Sequence, residues 1–215
     1  MFRVMVKTQW KWTRLAVLVG VLVAFAMPLM SINADLQEPL PRVVIDNMQT
    51  WGVGYAILAG TVGLLLAWMA WASDHRGHHV YALSLPVARW RYVLMRFTAG
   101  ILFLVPIVVA LGAGAVLATS PTGVVPPGLH AYPLALTLRF GFAAMVAFSI
   151  FFAISAASAR AAAYVLGTIC TVLMVDFLTD AMGFHWSIGL HAVNLLMVYP
   201  GILSVFSGRW TLIDV

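Results

Sequence analysis

The sequence predicts an all-α integral membrane protein with six transmembrane helices, an N-terminal interfacial amphipathic helix and a short cytoplasmic helix between spans 2 and 3. Three observations predict this class. Apolar residues make up 63% of the 215 residues and charged residues only 9%, against about 25% charged residues in a soluble globular domain. Apolar runs of the roughly 20 residues needed to cross a membrane recur along the chain. Basic residues cluster at the ends of alternate runs.

The whole chain, residues 1–215, is predicted to form a single transmembrane domain. The net charge of +5 comes from residues that flank apolar runs. It therefore indicates membrane orientation, and no nucleic-acid partner is expected. The single cysteine, Cys170, excludes a disulfide within the chain. Because it lies inside an apolar run, we expect it to be a buried small hydrophobic side chain.

Residues 1–14 place basic side chains at positions 3, 7, 11 and 14, a helical spacing, with two tryptophans between them. This pattern predicts a helix lying in the headgroup region of a membrane. The alternative is a frayed, solvated tail. The following apolar run, 15–32, is longer than a signal-peptide core and has no small-x-small cleavage site after it, so we interpret it as a retained span.

The predicted spans are residues 15–32, 51–71, 98–118, 133–157, 161–178 and 190–206. The connection 33–50 is polar, and its Pro39 and Pro41 predict a turn in its first half. Within span 2, the small residues Ala56 and Gly60, and again Gly63 and Ala67, have the spacing that lets two helices approach closely in lipid. We therefore expect a packed face on span 2.

Six spans place both ends of the chain on one side of the membrane. Ten basic residues fall on that side, namely Arg3, Lys7, Lys11, Arg14, Arg76, Arg89, Arg91, Arg96, Arg160 and Arg209. Only Arg42 and Arg139 fall on the other side. The positive-inside rule then predicts a multi-pass protein with both termini and the segment 73–97 in the cytoplasm. The expected location is a bacterial inner (cell) membrane. Arg139, in the first turns of span 4, is expected either to reach the near surface or to face the bundle interior.

The segment 73–97 (SDHRGHHVYALSLPVARWRYVLMRF) is the one sizeable basic interruption between apolar helices. Ser73 and Asp74 predict an N-cap for a short cytoplasmic helix. Ser84 and Pro86 mark a second helix start that leads into span 3. The expected interfacial anchors are Arg89, Trp90, Tyr92 and Arg96. The alternative is an ordinary cytoplasmic loop whose arginines only orient the protein.

A charged residue and a glycine followed by YALSLPVARWRYVLMRFTAG, between the second and third of six spans, resemble the permeases of type-2 ABC exporters. The matching positions are Gly77, Leu83, Ser84, Leu85, Pro86, Val87, Arg89 and Arg96. Two features depart from the family pattern. Ala88 stands where serine is frequent, and three histidines, His75, His78 and His79, stand where the family more often has an acidic residue.

The resemblance implies that residues 74–83 form a coupling helix resting in a cleft of a separate cytoplasmic ATP-binding subunit. The residues implied in this coupling are Asp74, His75, Arg76, Gly77, His78, His79, Leu83, Ser84, Pro86 and Arg89. It also implies a second permease chain, identical or different, and two ATPase subunits. The printed sequence contains no G-x-x-x-x-G-K-[ST] phosphate loop, so ATP and Mg²⁺ are expected on the partner, and no catalytic, cofactor or metal residue is assigned here.

Other readings of the histidines remain open. His75, His78 and His79 have a helical spacing that fits a metal site, although a contact with the ATPase is the favoured interpretation. Two acidic residues and two histidines near the outer ends of spans 5 and 6 fit either an outer gate or a solvated rim: Asp176, Asp180, His185 and His191. A haem-handling protein or other membrane enzyme would use His130, His185 and His191. A structural or regulatory subunit that transports nothing is the remaining alternative.

Overall fold

The computed structural model describes residues 2–33, 41–76, 88–120, 130–157, 159–182, 202–206 and 210–214. The α-helices are α1 (Phe2–Asn33), α2 (Pro41–Arg76), α3 (Arg89–Ala118), α4 (Pro133–Ala157) and α5 (Ala159–Ala181). A 3₁₀ helix, η1, covers Ile202–Phe206, and two short strands, β1 (His130–Ala131) and β2 (Ile213–Asp214), pair with each other.

Within the described residues, four helices are long and apolar enough to cross a membrane. They are Phe2–Ser31, Trp51–Ala72, Arg89–Ala118 and Pro133–Ala156, and α5 holds a shorter apolar stretch, Ala163–Asp176. The first four predicted spans fall within these four helices. The prediction of an all-α membrane protein is confirmed. Helices suit this environment because they satisfy every backbone hydrogen bond within one segment, which a bilayer interior requires.

The helices begin earlier than hydropathy alone predicts. α2 starts at Pro41, so the second half of the polar connection 33–50 is helical. Proline is tolerated as the first residue of a helix because the N–H it lacks would have no partner there, and Pro133 starts α4 in the same way. α1 likewise runs without a break through Arg14, where an interfacial segment was expected to end. Polarity marks the edge of the apolar layer, and it does not by itself end a helix.

α1 and α3 run parallel and in contact. The Trp10 and Phe103 rings lie 5.6 Å apart between centroids, and farther along a Cβ at Gly114 would meet the backbone of Phe25. A Cβ at Gly20 would lie 3.0 Å from Cδ1 of Ile107. The two helices therefore form a closely packed parallel pair.

α2 and α4 form a second parallel pair. A Cβ at Gly63 would lie 2.7 Å from Cβ of Ala147, and Ala67 is fully buried. The expectation of a packed face on span 2 holds for Gly63 and Ala67. It does not hold for Gly60, where a Cβ would meet nothing within 4 Å. Absence of a side chain at Gly63 is what allows the two backbones to approach.

The two pairs join through α3 and α4, which run antiparallel. Gly100 lies against Phe148, and Gly112 lies against Thr137 nearer the other end of the bundle. Next to Gly100, the rings of Phe97, Phe148 and Phe152 pack together with centroid separations of 5.4–5.5 Å. These aromatic contacts place the end of α4 beside the start of α3.

The four helices define two ends of the bundle. We call the end that holds the start of α1 and α3 and the end of α2 and α4 the basic end. Among the described side chains, the exposed cations at this end are Arg3, Lys7, Lys11, Arg14, Arg89 and Arg91. The other end, where α2 and α4 begin and α3 stops, is called the opposite end.

Residues 210–214 lie at the opposite end. β2 pairs antiparallel with β1, with His130 facing Asp214, and the Tyr132 amide donates to the Leu212 carbonyl at 2.9 Å. The prediction that the last residues share a side with residues 1–14 was wrong. Charge counting weighed only Arg209 there, whereas Trp210, Leu212 and Ile213 are all buried against the opposite end.

Two further predictions concern this part of the chain. Arg139 packs over the Trp210 ring at 5.1 Å and donates from Nε to the Val205 carbonyl at 3.3 Å, so it faces protein. The end of the predicted sixth span, residues 202–206, is a 3₁₀ helix, and residues 190–201 lie outside the described part of the chain.

Candidate functional site

A buried ion pair joins the end of α2 to the start of α3 at the basic end. Asp74 lies on the last turns of α2, and Tyr92 and Arg96 lie one turn apart on α3. Arg96 Nη2 donates to Asp74 Oδ1 at 2.6 Å, and the two side chains are only 8% and 3% exposed. We call Asp74, Tyr92 and Arg96 the buried cluster.

The guanidinium of Arg96 is held from several directions. Its Nε donates to the Tyr92 hydroxyl oxygen at 3.0 Å, and its Nη1 donates to the Ala70 carbonyl. The guanidinium carbon also lies 5.4 Å from the centre of the Trp71 ring and 5.2 Å from that of Tyr92. A planar cation with donors in a fixed fork suits this arrangement, because it can bond in the plane while its faces pack on aromatic rings.

The carboxylate of Asp74 is satisfied as well. The Tyr92 hydroxyl donates to it, with distances of 2.8 Å to Oδ2 and 3.1 Å to Oδ1. Tyr92 therefore accepts from the cation and donates to the anion, which closes a ring of three side chains. Such a closed ring makes a buried charge pair tolerable, because each group taken from water regains strong partners.

The neighbours of Asp74 extend the cluster to α4. Trp71 Nε1 donates to the Phe152 carbonyl at 3.2 Å, and their rings lie 5.1 Å apart. His75 Nε2 lies 3.0 Å from the Ser155 carbonyl oxygen. Directional bonds thus tie α2, α3 and α4 together at the end of α2 and the start of α3.

The expectation that Ser73 and Asp74 cap a new helix was wrong. α2 continues through both residues to Arg76, and the Asp74 side chain points into the bundle to pair with Arg96. The expectation that Arg96 is an interfacial anchor was also wrong, because its side chain is buried. Nothing breaks the helix before Gly77, and the carboxylate gains more from a buried cation than from a cap exposed to water.

The structure brings together only some of the residues implied in coupling. Asp74 and His75 belong to the buried network, and Arg76 is the last residue of α2. Arg89 is exposed at the start of α3, and the neighbouring Arg91 lies 5.2 Å from the ring centre of Trp90. Six implied residues lie outside the described part of the chain: Gly77, His78, His79, Leu83, Ser84 and Pro86.

Tyr92 and Arg96 were missed as site residues, although the sequence contained a signal. An acidic residue at the end of an apolar span is rare, and the nearest basic residue able to reach it from the next span has Tyr92 one turn before it. Ionisable residues in such positions usually pair with one another.

The remaining candidates are dispersed. No group of three or more His, Cys, Asp or Glu side chains that could hold a metal is found within the described residues. His130 is exposed on β1, while His185 and His191 lie outside the described ranges. Cys170, expected to be buried, is exposed on α5, and that prediction was wrong. Apolar side chains exposed on α5 include Ile169, Met174 and Leu178.

Comparisons with protein-family models, with curated proteins and with solved structures found no match to this chain. The interpretation of the site therefore depends on its geometry. The polar side chains of the buried cluster hydrogen-bond to one another in a ring between the helix ends. Such an arrangement fixes the relative position of helices, and it flanks a connection that both helices share.

Proposed function

We propose that this chain is the membrane-spanning permease subunit of an ATP-driven ABC exporter, which forms the substrate path and couples to a separate cytoplasmic ATPase. One observation carries the proposal: the buried cluster joins α2 to α3 on either side of the segment 77–87, whose sequence resembles the coupling segment of type-2 exporters. A partner that binds this segment would act on two helices at once.

The cluster makes mechanical coupling physically reasonable. A displacement of the end of α2 would be passed to α3 through the Arg96–Asp74 bond and to α4 through Trp71 and His75. α3 is a 30-residue helix, roughly 45 Å long at about 1.5 Å per residue. A rigid element of that length would carry movement at the basic end across the whole membrane.

The proposal includes a specific assembly. Two permease chains, identical or different, would enclose the substrate path, and two ATPase subunits would hold ATP and Mg²⁺. The basic end would face the cytoplasm of a bacterial cell, because basic residues are retained on that side of an inner membrane. Arg89 and residues 77–87 would then be accessible to the ATPase.

The number of spans also belongs to this proposal. We infer that α5 is a fifth span, since its 23 residues give about 34 Å, enough for a hydrocarbon core of about 30 Å. A sixth complete span over residues 190–206 would return the chain to the basic end. Residues 210–214 pair with β1 at the opposite end instead, which supports five crossings over six.

The test is reconstitution with the ATPase encoded beside this chain. The variant Pro86→Ala with Arg89→Glu should still insert in the membrane, whereas ATPase binding and ATP-driven transport should fall at least tenfold. The control is Arg3→Glu, which reverses an exposed charge at the same end on α1 and should leave both unchanged. A chain that binds no neighbouring ATPase, or a double variant with full coupling, would overturn the proposal.

A further inference from the structure

An apolar groove runs between α1 and α2 and is open along the outside of the bundle. Its volume is about 350 Å³, which lies within the range of small-ligand sites. The floor is formed by fully or nearly fully buried side chains, Val62, Leu66 and Ile107, and the rims include Leu15, Val19 and Met69. We call this cavity the α1–α2 groove.

The side chains that line the groove are almost all apolar. The polar side chain along its length, Thr61, donates its hydroxyl to the Ile57 carbonyl one turn earlier in α2. That bond uses the hydroxyl hydrogen within the helix. A ligand carrying polar groups along its length would lose hydrogen bonds on entry, so an apolar chain fits the groove best.

The length and position of the groove match one leaflet of a bilayer. Its lining runs from Leu15 to Val23 on α1 and from Leu58 to Met69 on α2, about 12–16 Å at ~1.5 Å per residue. The hydrocarbon core of a membrane is about 30 Å thick, so the groove covers about half of it.

Contacts between α1 and α2 close the groove away from the basic end. There, the hydroxyls of Ser31 and Tyr55 are 3.3 Å apart, and a Cβ at Gly54 would meet Met27. The groove begins one turn nearer the basic end and continues to Leu15 and Met69. An occupant that entered from the basic end would therefore stop before Ser31 and Tyr55.

Positive charge surrounds the mouth of the groove. Lys11, one turn before Leu15 on α1, is exposed, and Trp12 beside it is 39% exposed. Lys7 and Arg14 are exposed on the same helix. The described acidic side chain at this end, Asp74, is buried in its bond to Arg96 and does not offset them. A cationic mouth above an apolar groove is complementary to an anionic headgroup on an acyl chain.

We propose that the α1–α2 groove binds one acyl chain of an anionic phospholipid from the surrounding bilayer, with the lipid phosphate near Lys11 and Trp12. The acyl chain fills the space between Val19 and Met69, where the two helices would otherwise leave a gap. The headgroup provides selectivity, because acyl chains of neutral and anionic lipids pack equally well. This inference is independent of the proposed transport function.

The test is native mass spectrometry of the delipidated full-length chain with added phosphatidylglycerol or phosphatidylcholine of identical acyl chains. We expect a saturable adduct with one phosphatidylglycerol per chain. Val19→Trp, which fills the groove, should lower its occupancy at least tenfold. Leu18→Trp is the matched control: it adds the same ring at the neighbouring residue, which is similarly exposed but does not line the groove, and should bind normally.

A second variant separates the headgroup from the chain and is expected to fold, since its side chain is exposed. Lys11→Gln should reduce the preference for phosphatidylglycerol over phosphatidylcholine about fivefold, whereas Arg3→Gln, two turns farther from the groove, should change it less. Equal binding of the two lipids by the unmodified chain, or equal loss in the Val19 and Leu18 variants, would overturn the proposal. So would a dimer that Val19→Trp dissociates, since the groove would then hold a second copy.

Discussion

Replacing one partner of the buried ion pair between Asp74 and Arg96 should lower the free energy of unfolding more than replacing both partners. In Asp74→Leu, the Arg96 guanidinium stays buried without its carboxylate, and in Arg96→Met the carboxylate loses its cation. Loss of one partner of a buried pair costs about 3–5 kcal/mol. The exposures of 8% and 3% place this pair fully in that class.

The double variant Asp74→Leu with Arg96→Met leaves no buried charge. The group that then lacks a partner is the Tyr92 hydroxyl, and an unsatisfied buried hydroxyl costs about 1–3 kcal/mol. The Ala70 carbonyl keeps its bond within α2, so it adds little. The free energy of unfolding of the double variant should therefore be about 1–3 kcal/mol lower than that of the unmodified chain. It should be higher than that of either single variant.

The assay is equilibrium unfolding in mixed detergent micelles, followed by circular dichroism for all four members of the cycle. The control is Arg89→Met, which removes an exposed cation near the same helix end and should change stability by no more than about 0.5 kcal/mol. A loss of unfolding free energy in Asp74→Leu no larger than that in Arg89→Met would refute the prediction. A loss in the double variant equal to the sum of the losses in the two single variants would also refute it, because the two side chains would then be energetically independent.

The helix packing and the topology give two further predictions. Gly63→Leu should destabilise the protein by more than about 1–3 kcal/mol, because its Cβ would press on the α4 backbone, whereas Gly60→Leu has open space and should be near neutral in the same unfolding assay. In a Cys170→Ser background, Lys7→Cys and Thr211→Cys should react with a membrane-impermeant thiol reagent from opposite faces of sealed vesicles; reaction from the same face would contradict the pairing of β1 with β2.

Hydropathy was sufficient to predict an all-α membrane protein, because a bilayer leaves a spanning segment few alternatives to a helix. Two of the apolar helices, Trp51–Ala72 and Pro133–Ala156, cover nearly the same residues as the predicted spans 51–71 and 133–157. Helix ends were harder to predict. Residues 41–50 are polar and still helical, because the proline at the start of α2 suits a first turn and no breaker follows it.

The buried cluster could not be predicted from charge rules. Asp74 and Arg96 are 22 positions apart, and their pairing depends on α2 and α3 meeting at a particular rotation. The positive-inside rule treats every arginine near a span end as a surface residue, so Arg96 was counted with the exposed basic residues although it is buried. Residues 210–214 show the same limitation. Their position is explained by the burial of Trp210, Leu212 and Ile213, and the charge of Arg209 did not predict it.

The bonds that join the two helix pairs differ in strength between the ends of the bundle. At the basic end, an ion pair and a donating tyrosine join α2 to α3. Farther toward the opposite end, a neutral hydrogen bond of 3.3 Å between Ser31 and Tyr55 links α1 to α2. A neutral bond contributes about 1 kcal/mol, and breaking the buried ion pair costs about 3–5 kcal/mol.

Between these contacts, α3 and α4 pack closely at Gly100, against the Phe148 ring, and at Gly112, against Thr137. If the two pairs move relative to each other, the weaker end should separate first, since its bond costs least to break. The buried cluster would then act as the pivot, because its bonds hold α2 and α3 together in several directions. A small rotation at Tyr92 would become a larger displacement at the far end of α3, about 40 Å away, since the lever arm is the helix itself.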